Sequence, residues 1–301
     1  MLVGPTASGK SAVALEVART WTDVEVVTAD SMQVYRGMDL GTAKPTVAEQ
    51  AEVPHHLLDV VEPTDDFTVT RYQRAFADAI RGIEERGHRA LVVGGTGLYV
   101  QAVVDDLDIP GRFPDVRAEL EAVGDTVALH HRLALVDPVA ATRVERGNRR
   151  RVVRALEVTL GSGRPFSSFG PGLQAYPATR YLLAGIDVPR PTLAERIERR
   201  FHAMVDQGLV EEVEGLLDQH GPALSRTARQ ALGYREILGH LADGVDLEVA
   251  VAEAIRRTRR LARRQRSWFG RDPRIVWHHA EANPVAILPA LLGDWSTRCP
   301  S

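Results

Sequence analysis

Two hydrophobic rhythms alternate along the chain. Short, largely apolar runs occur at Met1-Leu2-Val3, Val24 to Thr28, Ala90 to Val93 and Tyr181 to Ile186, the pattern of strands buried on both faces of a parallel sheet. Between them lie stretches of helical period: Ser11 to Ala18, Val69 through Ile83 stopping near Gly87, and Thr192 through Leu217. The last carries an apolar stripe of Leu193, Ile197, Phe201, Met204, Val205 and Leu209, which reads as core packing. A further helix is predicted from a cap at Asp246 to Gly270, with Val251, Ile255, Leu261 and Trp268 on one face. Strands interleaved with helices predict an α/β core, a central parallel sheet flanked by helices.

From about Asp105 the strand signal stops. Pro110 and Pro114 mark the break, Asp137-Pro138 supplies a cap with a first-turn proline, and Asn148 to Leu160 is amphipathic, ended by Gly161. Its face of Arg150, Arg151 and Arg154 lies opposite Val152, Val153, Leu156 and Leu160. This predicts a helical insertion domain over 105–160, dividing a core made of 1–104 and 161–301. Gly161 to Pro177 is rich in Gly, Ser and Pro and reads as a linker or mobile loop, while 41–45 and 53–59 read as turn-rich connections.

A chain of 301 residues can bury a sizeable core, and its net charge of −3 suggests no special partner. The distribution changes that picture. Arginine gathers at 149–154, 196–200 and 256–274 while acidic residues are spread out, a footprint suited to a polyanionic nucleic acid. The single cysteine, Cys299, argues against a disulfide framework and a cysteine-rich zinc module. With no charged-then-apolar leader and no membrane-spanning stretch, a cytoplasmic location is expected.

Candidate chemistry starts at Gly4-Pro5-Thr6-Ala7-Ser8-Gly9-Lys10-Ser11, which fits G-x-x-x-x-G-K-[S/T] between a strand and a helix. Such a loop turns backbone N–H groups toward phosphate oxygens at a helix N-terminus; the lysine adds a point charge and the hydroxyl of Ser11 can join the shell of a phosphate-bound magnesium ion. A P-loop NTPase-like core is therefore expected. The strand before the loop is short, as it would be if residues preceded Met1 in the native chain.

The second strand delivers Asp30 to its carboxyl end, where sites on open parallel sheets form. The third apolar run, Ala90 to Val93, opens into Gly94-Gly95-Thr96-Gly97, where glycines allow close approach of a ligand. A nucleotide hydrolase is expected to end that strand in an acid, so hydrolysis or phosphoryl transfer, with Asp30 or Asp187 as the acid, is the weaker reading. A dinucleotide fold is discounted because G-x-G-x-x-G is missing. Lys44 is placed facing phosphate, and the pair His55-His56 reads as satisfied or solvent-facing, lacking further ligands at metal spacing. Gly233, inside a helix-like context, costs about 1 kcal/mol against alanine and predicts a bend or a close backbone approach.

Seven strings in order, GPTASGKS, ADSMQVYRGMDLGTAKP, VPHHLLDVVEP, VVGGTGLY, RRVVRALEV, ALGYRE and RRLARRQRSWF, together resemble the tRNA dimethylallyltransferases over nearly the whole chain. The resemblance implies transfer of a dimethylallyl group from its diphosphate to the N6 amine of the adenosine beside the anticodon in tRNA, with Mg2+. It implies that Asp30 is the general base, that Thr96 contacts the base, and that Arg235 pairs with the leaving group. Gly4 to Ser11 would hold the diphosphate, with Ser11 on the metal. Asp30, Ser31, Met32, Gln33, Arg150, Arg151, Arg154 and, on the weakest correspondence, Arg117 would contact the anticodon stem-loop. RRVVR departs from the QRLSR of many relatives, exchanging a glutamine contact for an arginine. The lack of a zinc module matches bacterial-type members, and a monomer is expected. Prenylation of free adenine nucleotides, a nucleotide kinase and a non-catalytic RNA-binding protein are the alternatives.

Overall fold

The computed structural model describes residues 1–298; Cys299 lies outside the described residues. Two compact units are present, one made of 1–104 with 178–301 and the other of 105–177.

The first unit holds the sheet. Its strands are β1 (Leu2–Val3), β2 (Val24–Ala29), β3 (His55–His56), β4 (Arg89–Gly94), β5 (Ala184–Asp187) and β6 (Val276–His279), ordered β3-β2-β4-β1-β5-β6. Every pairing is parallel. Leu2 and Val3 pair with Val93 and Gly94 on one side and with Ala184 and Gly185 on the other, so a two-residue strand is fixed from both flanks. Helices α1 (Lys10–Thr20), α2 (Val47–Glu52), α3 (Val69–Glu85) and α4 (Gly97–Val104) follow the early strands. This is the doubly covered parallel sheet that the apolar runs predict, and one core cluster runs through it.

The strand at His55–His56 was expected to be a turn-rich connection. It pairs with Val26 and Val27, and its polarity is met by a buried carboxylate. Glu25, on the otherwise apolar β2, accepts from Arg86 Nε and Nη2 at 2.9 and 2.7 Å and lies 2.5 Å from His56 Nε2 and 2.8 Å from His88 Nδ1. The histidine pair thus has the satisfied role expected of it. Strand β6 carries too little apolar sequence for the pattern to reveal it.

The second unit contains α5 (Pro114–Ala122), α6 (Thr126–Val136), α7 (Pro138–Arg143) and α8 (Arg149–Ser162) around its own core. Helix α8 runs through Gly161 and ends at Gly163, whose φ of 70° is the left-handed stop. Leu160, placed on the apolar face by periodicity, is exposed. The segment after α8 is packed rather than loose: Phe166 N donates to Thr159 Oγ1 at 3.0 Å, and Ser167 donates through N and Oγ to the buried Asp137 at 2.8 and 2.7 Å. Those bonds explain why this unit extends past Leu160 to Pro177.

Back in the first unit, the stretch expected to be one helix from Thr192 to Leu217 is two, α9 (Arg190–Asp206) and α10 (Leu209–His220), broken at Gly208 with φ 103°. After α11 (Arg226–Arg229), Gly233 with φ 91° starts α12 (Tyr234–Asp243), which accounts for a glycine at that position. Helix α13 (Leu247–Phe269) is capped by Asp246, which accepts from Val249 N, and α14 (Leu288–Arg298) closes the described chain. No helix among the described residues is long and apolar enough to cross a membrane.

Candidate active site

Because the strands are parallel, the loops after β1, β2, β4 and β5 leave from one edge of the sheet. The phosphate loop turns through Ala7 at φ 63° and Gly9 at φ 94°, a strained path of the kind found at ligand sites. No side chain caps α1 and no acidic residue lies in its first turn, so the positive end of the helix is not neutralised. Ser11 stands exposed in that turn, and Ser8 Oγ is buried without a hydrogen-bond partner among the described residues. Lys10 Nζ donates to Pro5 O at 2.7 Å.

A second cation reaches this loop from far along the chain. Arg200, on α9, donates from Nη2 to Thr6 Oγ1 at 2.6 Å. Among the described residues neither Lys10 nor Arg200 makes an ion pair with a carboxylate. Burial pulls the Lys10 ammonium down to about 8; Asp30 opposes the shift and Arg200 reinforces it. Arg200 is likewise lowered by burial against the pull of Asp30. Two desolvated cations acting on one aspartate leave positive charge that a polyanionic ligand would neutralise.

Asp30 stands at the end of β2, its Oδ1 accepting from Met32 N at 2.8 Å. Ser31 N donates to Thr96 Oγ1 at 3.0 Å, which joins the loop after β2 to the loop after β4. That approach depends on Gly94, where a Cβ would lie 2.1 Å from Ala29 O. Gln33 braces the loop after β2, accepting from Thr28 Oγ1 at 3.0 Å and donating to the carbonyls of Thr42 and Ala43 at 3.1 Å each.

Gln265 on α13 ties the phosphate loop to the second glycine loop. Its Oε1 accepts from Thr6 N at 2.8 Å and its Nε2 donates to Gly95 O at 2.9 Å. A Cβ at position 95 would come within 2.4 Å of that Nε2. Neither Arg200 nor Gln265 was singled out from the sequence, yet each sits in register with a buried stripe: Arg200 between Ile197 and Met204, Gln265 between Ala262 and Phe269. A polar residue at such a position was the available signal.

Other residues marked from the sequence are occupied differently. Lys44 does not face a phosphate site: its side chain, 3% exposed, is held by Asp39 at 2.5 Å, Asp59 at 2.6 Å and Tyr35 O at 2.8 Å. Asp187 pairs with Arg266 at 2.7 Å. Arg235 is exposed on α12 with no side-chain partner among the described residues. Along α13, Arg256, Arg257, Arg259 and Arg266 are paired with Glu253, Glu236, Glu198 and Asp187, which leaves Arg260, Arg263 and Arg264 exposed and uncommitted. Part of the arginine cluster read over 256–274 is therefore already neutralised within the protein.

In the second unit the marked arginines divide in two. Glu157, buried on α8, accepts from Arg154 Nη1 at 2.8 Å, Arg117 Nη1 at 3.3 Å and Phe113 N at 3.0 Å. Arg149 donates to the carbonyls of Glu121, Val123 and Gly124, closing the end of α5. Arg150 and Arg151 are exposed and have no side-chain partner among the described residues.

Comparison with known proteins then decides the family. A family model described as IPP transferase matches residues 33–272. The chain belongs to the IPP transferase family. A tRNA dimethylallyltransferase of Bifidobacterium longum is 45% identical over 298 residues, covering 95% of this chain and 87% of that protein. One of Streptomyces avermitilis is 47% identical over 293 residues, covering 96% and 93%. The crystal structure of the full-length tRNA isopentenylpyrophosphate transferase from Bacillus halodurans shares 36% identity at a TM-score of 0.71, covering 99% and 96%. As an IPP transferase, this chain has the α/β phosphate-loop core that its sequence predicts.

Proposed function

We propose that the protein transfers a dimethylallyl group from dimethylallyl diphosphate to the N6 amine of the adenosine beside the anticodon in tRNA, releasing diphosphate. The Bifidobacterium longum and Streptomyces avermitilis relatives are named tRNA dimethylallyltransferases, and within this chain one observation carries the reading. Lys10 and Arg200, desolvated and without carboxylate partners among the described residues, act on Asp30 beside the phosphate loop. The cations suit a departing pyrophosphate and the carboxylate suits a proton acceptor.

The amine of adenine has its lone pair delocalised into the ring, so attack on the allylic carbon gains from a base that removes a proton as the new bond forms. Asp30 takes that proton. The C–N bond forms at C1 of the allyl group, the C1–O bond breaks, and its electron pair leaves with the pyrophosphate. Lys10, Arg200 and the amides at the start of α1 stabilise that charge. Thr96, held against Ser31, borders the base. An adenosine in an RNA loop must be swung out of its stack to reach Asp30, and Arg150 and Arg151 are exposed cations of the second unit without a side-chain partner among the described residues, suited to meet the backbone. The exposed Arg235 is available to the leaving group.

Magnesium fits this chemistry as part of the donor. Among the described residues no group of three or more His, Cys, Asp or Glu side chains could hold a metal ion. The loop offers N–H donors and the Ser11 hydroxyl, so most of the oxygen ligands would come from the diphosphate itself. Bound there, the ion would offset charge on the leaving group.

Incubation with labelled dimethylallyl diphosphate, Mg2+ and unmodified tRNA tests the proposal. Label in the tRNA, and none when adenosine monophosphate replaces it, is the expected result. Folded protein that leaves the tRNA unlabelled, labels only the free nucleotide, or moves phosphate from ATP would overturn it.

A further inference from the structure

We infer that Gln265 is a positioning residue that sets the separation between the donor and acceptor halves of the site. The inference rests on the prenyl-transfer reading above, because it assigns one half to the diphosphate and the other to the adenine. The phosphate loop follows β1 and the Gly95-Thr96 loop follows β4. The strands are neighbours, but beyond their ends the paired backbone stops. Gln265 replaces that pairing with two side-chain bonds, 2.8 Å from Thr6 N to its Oε1 and 2.9 Å from its Nε2 to Gly95 O.

The chemistry of the link selects an amide. One end must accept from a backbone N–H and the other must donate to a backbone carbonyl, which the two terminal atoms of a glutamine carboxamide do without a charge. A glutamate would set a carboxylate against the Gly95 carbonyl and beside the bound diphosphate. The orientation of the amide is fixed by its two partners, since only one assignment of O and N satisfies both.

Each end of the link is held by the substrate-facing structure. Thr6 is also gripped through its hydroxyl by Arg200 at 2.6 Å, so its position is set by Arg200 and Gln265 together. Gly95 precedes Thr96, which accepts from Ser31 N next to Asp30. The chain of contacts therefore runs Arg200, Thr6, Gln265, Gly95, Thr96, Ser31, with the donor's phosphate site at one end and the acceptor's base site at the other. A Cβ at position 95 would overlap the amide nitrogen of Gln265, 2.4 Å away, and would also press on the Gly4 carbonyl at 3.3 Å, so glycine at 95 leaves the place that the amide fills. Helix α13 is itself anchored one residue further on, where Arg266 donates to Val188 O at 3.0 Å and pairs with Asp187.

Transfer needs the allylic carbon and the amine nitrogen within near-attack distance, and an error of about 1 Å in such an alignment can lower a rate on the order of a hundredfold. Loosening this link should therefore slow the chemical step while each substrate still binds its own half.

The test is a double-mutant cycle on the full chain, with single-turnover rate, Kd for dimethylallyl diphosphate, Kd for tRNA and Tm as readouts. Gln265→Met, close in volume but without either hydrogen bond, is expected to lower the rate about 10- to 100-fold, with both Kd values within about threefold and Tm within a few degrees. Gly95→Ala is expected to lower the rate similarly, and to cost less than about threefold when added to Gln265→Ala, where the amide it would strike is gone and only the 3.3 Å approach to the Gly4 carbonyl remains. A rate for Gln265→Met within about threefold of an active wild type, or Gly95→Ala and Gln265→Ala effects that multiply and follow Tm, would overturn the inference and leave the prenyl-transfer reading intact. A folded wild type that transfers nothing would remove that reading and this inference with it.

Discussion

Arg200 donates to the hydroxyl of Thr6 across 194 residues of sequence, at 2.6 Å. A guanidinium from α9 thus completes a phosphate loop built by the first eleven residues, although no contiguous motif could announce it. Charged hydrogen bonds of this kind are worth about 1.5–3 kcal/mol. Arg200→Met is expected to raise the Kd for dimethylallyl diphosphate about 10- to 100-fold while leaving tRNA affinity within about threefold, as measured by equilibrium binding of each substrate alone.

Lys10 gives the donor site a pH dependence of definite sign. In the free protein its ammonium is held at about 8, chiefly by burial. A bound diphosphate supplies counter-charge and raises that value, so binding takes up a proton in the window between the two. Donor affinity should be flat below about pH 7 and fall as pH rises through about 8. Calorimetry in buffers of different ionisation enthalpy should show proton uptake near pH 8.5, and Lys10→Met should abolish it.

Asp30→Asn keeps the side chain's size and its bond from Met32 N but removes the proton acceptor. Loss of a general base typically costs 10²- to 10⁴-fold. Transfer should fall by about that much in single-turnover assays, with tRNA binding retained; equal loss of both would make Asp30 structural.

The arginines of the second unit should separate by partner. Reversing charge at Arg150 and Arg151 is expected to weaken tRNA binding and reduce its salt dependence by about two counterions, with unchanged Tm. Glu157→Ala removes the buried carboxylate shared by Arg117 and Arg154, which keep Glu121 and the Pro110 carbonyl as partners, and should cost about 1–3 kcal/mol of stability, less than for a fully buried pair because both guanidinium groups reach solvent. Chemical denaturation of both variants, alongside salt-dependent binding, checks the division.

Much of the core could be read directly because its strands are apolar runs and its loops follow strand ends. The phosphate loop and the place of Asp30 at a strand end needed only local spacing, whereas the role given to Thr96 came with the family resemblance. What escaped was set by contacts distant in sequence. The strand at His55–His56 is legible only once Glu25 is known to stand beside it, since two histidines look like a turn until a buried carboxylate claims them. Lys44 resembles a phosphate ligand until Asp39 and Asp59 close on it. Arg117 and Arg154 look like surface charge because Glu157, which holds both, lies within the same α8 pattern as an ordinary polar position. Arg200 and Gln265 carry a faint signal, polarity in register with a core stripe, that composition alone does not weight.

The close approach of β2 and β4 at Gly94 also bears on redesign. Backbone meets backbone there, with no side chain between to be trimmed. A library aimed at admitting a bulkier acceptor would gain nothing at the strand tips, where any added atom pries Asp30 from Thr96. Room would have to come from the loop pinned by Gln33, whose hold on Thr42 and Ala43 is side-chain chemistry and therefore open to exchange.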